Sequence, residues 1–185
     1  MLMDSLFYRW TVFIVLLGIG PFLYGQQSAR HPVCLVIPEI AIVDIEPNNT
    51  AINLQFSAPL DGGNAISADE ANESKWLNYT SAISRTGSSR YITAQIANGS
   101  LPEGIELRLA ANDYSGSGKG AHGQSSGQIS LSSTPKTIIS NIGRAFTGNG
   151  VGNGHQLTYS LAISDYKKLD AAERAEVMII FTITE

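Results

Sequence analysis

Apolar and polar positions alternate with a period of two along much of this chain. Ile52, Leu54 and Phe56 alternate with Asn53 and Gln55. Ile92, Ala94 and Ile96 alternate with Thr93 and Gln95, and Ile105, Leu107, Leu109 and Ala111 with Glu106, Arg108 and Ala110. Leu157, Tyr159, Leu161 and Ile163 alternate with Thr158, Ser160 and Ala162, and Val177, Ile179, Phe181 and Ile183 with Met178, Ile180, Thr182 and Thr184. Successive strand side chains point to opposite faces, so each run predicts a strand with one face on a core and one toward water. Shorter strands are expected over residues 35–37, 40–45, 77–81, 128–131 and 137–139. Turn residues punctuate the runs: Pro47-Asn48-Asn49, Asp61-Gly62-Gly63-Asn64, Asn98-Gly99 and Pro102-Glu103-Gly104.

Many short strands joined by polar turns predict an all-β domain: an antiparallel two-sheet sandwich, with a barrel as the alternative. No alternation of strands with helical patterns supports a parallel sheet. Residues 165–175 carry the one helical stretch, a turn or two on a connection. Two glycine-rich stretches, residues 114–127 and 143–154, read as surface loops or excursions of strand edges.

The first 25 residues differ from the rest. A short polar start with Asp4 and Arg9 leads into the apolar run WTVFIVLL, broken by Gly18, Gly20 and Pro21. This is the layout of a secretory signal peptide, and the apolar run is shorter than the roughly 20 residues a spanning helix needs. The expected organisation is a signal peptide over residues 1–25 and one β-sandwich domain over residues 26–185, with no membrane span after cleavage. Localisation follows: secreted or at the cell surface, on the periplasmic or outer-membrane side in a Gram-negative cell.

Composition sharpens this picture. Hydrophobic residues make up 43% of the chain, enough for a core, while charged residues make up only 15%. Gly, Ser, Thr and Asn replace the missing charge and favour turns over helices. The net charge is −4 and the 12 basic residues are scattered, which argues against nucleic acid as a partner. Cys34 is the one cysteine, so no internal disulfide forms; it reads as a buried thiol, with pairing between chains as the sharper alternative.

Motifs that resemble catalytic ones lack their context. Gly123-Gln124-Ser125-Ser126-Gly127 has the spacing of a nucleophile elbow, but no acidic residue lies between Ser125 and His155, and strand-like sequence follows instead of a helix. His31, His122 and His155 show no paired ligand spacing, and no cofactor or metal is expected. Asn48, Asn72, Asn78 and Asn98 open Asn-x-Ser/Thr sequons, read as chance matches in an Asn- and Ser-rich chain. The expectation is a protein that is not an enzyme.

The signal peptide, the closing strand EVMIIFTITE and the LTYSLAI strand before it resemble exported pilin-like and spore-coat-U-like β-sandwich proteins of Gram-negative bacteria. The resemblance implies an immunoglobulin-like or pilin-like sandwich with surface or fibre association. Fimbrial subunits usually carry a paired disulfide and an aromatic residue next to last; here stand the single Cys34 and Thr184.

Two functions follow as expectations. The first is an exported cell-surface structural or adhesive protein, a pilus- or fimbria-type subunit whose partners are other protein subunits. The second is a soluble, non-catalytic module that binds surface glycan. Trp76 and Tyr79 read either as core aromatics or as a sugar platform. Val33, Leu35 and Ile37 read either as the first strand of their own sandwich, the commoner fate, or as a strand given to a neighbouring subunit.

Overall fold

A computed structural model describes residues 27–171 and 174–185; the expected signal peptide lies outside the described residues. Among the described residues eleven strands form, all within the unit Ile37–Glu185. They are β1 (Ile40–Glu46), β2 (Phe56–Ser57), β3 (Ser67–Ala68), β4 (Asn72–Ala82), β5 (Arg90–Asn98), β6 (Ile105–Ala111), β7 (Lys119–Ser125), β8 (Gln128–Ser130), β9 (Lys136–Phe146), β10 (His155–Ile163) and β11 (Met178–Thr184). A 3-10 turn, Tyr166–Lys168, lies on the connection from β10 to β11. No helix among the described residues is long and apolar enough to cross a membrane.

Nine strands make one antiparallel sheet, ordered β11-β5-β9-β4-β10-β6-β8, with β1 beside β4 and β7 beside β9; β2 and β3 make a separate small sheet. The long strands β4 and β9 change partners along their length. β4 pairs with β10 around Lys75–Leu77 and with β9 at Thr80 and Ser81. β9 pairs with β5 from Lys136 to Ile142 and with β7 from Ile139 to Phe146. The sheet thereby bends over itself into a sandwich-like pair of layers, β1-β4-β10-β6-β8 facing β11-β5-β9-β7. It is not closed into a barrel, because β8 and β11 end the strand order without pairing to each other.

The alternation read from the sequence fills the space between the layers. Leu77 and Tyr79 of β4, Ile92, Ala94 and Ile96 of β5, and Leu107, Leu109 and Ala111 of β6 meet Ile138, Ile139 and Ile142 of β9 and Leu157 and Tyr159 of β10. Each fully buried Leu or Ile among them contributes roughly 1.5–3 kcal/mol. Lys75 sits in the same inward row of β4, and its Nζ donates to Asn48 O (2.9 Å), Asn48 Oδ1 (3.1 Å) and Thr50 Oγ1 (3.3 Å).

Four expectations need correction. Residues 35–37 form no strand, and of the predicted strand over residues 52–56 only Phe56 is in one, paired with Ala68. Ile52 and Leu54 still pack on the core, so their alternation reports burial without a pairing partner. The glycine-rich stretch 114–127 contains β7, and residues 143–146 complete β9. Here glycine belongs to a strand: β7 runs so close to β9 that a Cβ at Gly120, whose φ is +107°, would overlap Arg144 O. Cys34 is exposed, not buried.

Candidate functional site

The large apolar residues nearest the start of the described chain are strongly exposed. Val33, Leu35, Val36 and Ile37 are 70–87% exposed, Cys34 is exposed beside them, and residues 27–39 hold no regular structure. The first-strand expectation for Val33, Leu35 and Ile37 is therefore corrected. Pro38 supplies no N–H to a ladder, and pairing begins only at Ile40. In an extended conformation Val33, Leu35 and Ile37 share one face and Cys34 and Val36 the other.

β11 is an edge of the large sheet. It pairs with β5 from Met178↔Asn98 to Thr184↔Tyr91, and no second strand pairs with it among the described residues. Its sequence, MIIFTIT, carries no charge and no proline. Natural edges usually carry such residues to prevent unwanted pairing. Ile179, Phe181 and Ile183 turn inward as predicted, yet they are only half-buried on the core, as are Val43 and Ile45 of β1. Neither β1 nor β11 contributes a fully buried side chain. One side chain joins these two strands: Arg90, 5% exposed, donates to Ile40 O, to Ala82 O (3.4 Å) and to Glu185 Oε1 (3.0 Å).

Trp76 and Tyr79 do not form a platform. Three residues apart on β4, they lie on opposite faces of the sheet. Trp76 is half-buried on the outer face, between Glu46 of β1 and Gln156 of β10. Tyr79 is 3% exposed and inward. Its hydroxyl donates to His122 O and lies 3.2 Å from His155 Nε2. Burial pushes the Tyr79 phenol well above its ordinary range, with Tyr114 adding to the shift. His155 is fully buried and its Nδ1 lies 2.8 Å from Asn112 O. A carbonyl only accepts, so Nδ1 carries the proton. Desolvation lowers the His155 pKa, against the raising effects of the hydrogen bonds to Asn112 and His122. His122 stacks on Tyr114 at 3.5 Å between ring centroids, and its Nε2 lies 3.0 Å from Phe146 O. This aromatic cluster ties β4, β7, β9 and β10 together. Sequence reasoning missed it, because its members are spread over residues 79–155 with no shared spacing.

Ser125 stands at the end of β7, where Oγ donates to Ala111 O (2.5 Å) and accepts from Gly127 N (3.0 Å). Of the sequon asparagines, Asn78 is 4% exposed and both ends of its amide are engaged, Nδ2 with Asn153 O (2.5 Å) and Oδ1 with Gly150 N (3.0 Å). It is locked against the loop of residues 148–154. The chain finds no match among family models, curated proteins or solved structures.

Proposed function

We propose that this protein is an exported cell-surface structural subunit that joins to copies of itself. The apolar segment at residues 33–37 of one copy pairs with the free edge of β11 on the next. The exposure of Val33, Leu35, Val36 and Ile37 carries this reading: four large apolar side chains in sequence order, at 70–87% exposure, cost hydration until something covers them. The β11 edge supplies the complementary surface. It offers unpaired backbone groups, no protecting charge, and the half-buried row Ile179, Phe181 and Ile183. An added strand would complete the ladder with its backbone and the core with Val33, Leu35 and Ile37. The contact is head-to-tail, so it builds an open chain of subunits instead of a closed dimer.

The test uses the exported protein and a variant with Leu35→Asp and Ile37→Asp together. Both positions are exposed, so the fold should survive the change. Sedimentation velocity should show concentration-dependent chains for the native protein and monomers for the variant. A native protein that stays monomeric at every concentration, alone or in the exported fraction, removes the reading.

A further inference from the structure

We infer that the outer face of the sheet, where β4 meets β9, is a binding site for one neutral sugar unit of a glycan. A depression of about 250 Å3 lies there, lined by Asn78, Tyr79, Thr80, Phe146, Gly148 and Asn149. It is smaller than the roughly 300 Å3 at which pockets for drug-sized ligands begin, a size suited to a single ring.

The strand register sets its chemistry. Thr80 is paired with Ile42 of β1 on one side and Phe146 of β9 on the other, and Phe146 with Lys119 of β7. Side chains directly opposite on one face are neighbours, so Ile42, Thr80 and Phe146 form a row across the outer surface. Ile42 is 61% exposed and Phe146 47%, an aliphatic and an aromatic side chain with no reason of packing to face water. The Thr80 hydroxyl and the Asn149 amide make no side-chain hydrogen bond among the described residues, whereas Asn78 is used up internally. The site thus offers one aromatic face, one aliphatic neighbour, and an uncommitted hydroxyl and amide. The charged groups around it are Lys119, opposite Phe146, Asp44, opposite Asn78, and Arg144, on the same face two residues before Phe146, whose guanidinium is committed to Ile83 O (3.0 Å) and Ser84 O (2.6 Å). A neutral ligand with both a C–H face and hydroxyls matches this set. A purely apolar ligand would leave Thr80 and Asn149 without partners, and an ion would meet Lys119 and Asp44 in opposition, with the Arg144 donors already engaged by backbone carbonyls.

The loop that forms the rim is built, not slack. Asn153 Oδ1 accepts from Ser117 N and Ser117 Oγ, each at 3.0 Å, and its Nδ2 donates to Asn149 O at 2.9 Å. Gly154 closes the loop with φ at +89°, where a Cβ would overlap Leu77 O. The Asn149 backbone is therefore held at the rim before any ligand arrives, which lowers the ordering cost that weakens loop-borne sites.

The test is a titration of the 15N-labelled exported protein with neutral oligosaccharides ending in glucose, galactose, mannose or N-acetylglucosamine. With at least one of them, amide shifts should move at Thr80, Phe146 and Asn149 while those of Trp76 stay put. Phe146→Ala and Asn149→Ala should each weaken that binding at least tenfold without shifting the melting temperature, since both side chains are exposed. Absence of binding to all four families, binding that moves amides elsewhere, or binding unchanged in both variants overturns the assignment. A Phe146→Ala variant that fails to fold leaves Asn149→Ala to decide.

Discussion

At the scale of single residues, His155 and Arg90 carry the most testable physics. Tyr79, Tyr114 and His122 surround His155, with Asp113 beside them, and burial holds its pKa below the ordinary value. The unfolded chain therefore takes up a proton at higher pH than the native protein does. Stability is fully present above about pH 6.5, the unperturbed histidine value, and falls as pH drops through the window below it. Denaturant midpoints measured from pH 8 to pH 5 should show this decline in the native protein and a shallower one in His155→Gln. Arg90 gives a contrast between partners. Glu185 is 48% exposed, so Glu185→Gln should cost less than about 1 kcal/mol. Arg90→Met strips the carbonyls of Ile40 and Ala82 of their donor and should cost at least about 2 kcal/mol. Equal losses for the two variants in urea denaturation would mean that the ion pair, not the buried fork, holds this corner. Arg90 did not stand out in the sequence, and His155 is weighed there only as a catalytic or metal-ligand candidate. A lone histidine or arginine reveals nothing of its burial until the strands around it are placed.

At the scale of elements, β11 shows what periodicity conveys. Its inward row of Ile179, Phe181 and Ile183 was legible because one period-two run fixes both the strand and its phase. Its degree of burial was not legible, because that depends on whether another strand lies beyond it. Phe181→Ala should destabilise by about 2 kcal/mol, less than the roughly 3–5 kcal/mol of a fully buried phenylalanine, and Thr182→Ala by no more than about 0.5 kcal/mol. A loss at Phe181 above about 4 kcal/mol would place it in a closed core. The same limit explains β7. Its glycines look like loop, yet they are there because β9 passes too close for side chains, a fact that belongs to the partner strand. At residues 35–37 the alternation predicts a strand of this domain, whereas the segment forms none and Pro38 separates it from β1.

At the scale of the whole molecule, the fold class was readable in the sequence, and the exposure of residues 33–37, on which the proposed assembly rests, was not. The sandwich followed from many short alternating runs with polar turns. The Trp76–Tyr79 pair misled because three residues along a strand means opposite faces, and the sequence alone did not show that both lay on one continuous strand. The central claim, that residues 33–37 of one copy lie along β11 of another, can be measured by disulfide trapping. With Val33, Leu35 and Ile37 turned to the core, Cys34 faces out, on the side of Ile180 and Thr182 of β11. Single variants Ile180→Cys and Thr182→Cys, oxidised and run without reductant, should give ladders of linked subunits with at least one of the two, each bond joining Cys34 to the introduced cysteine. Mass spectrometry that finds only Cys34–Cys34 dimers, in these variants as in the native protein, would contradict the account.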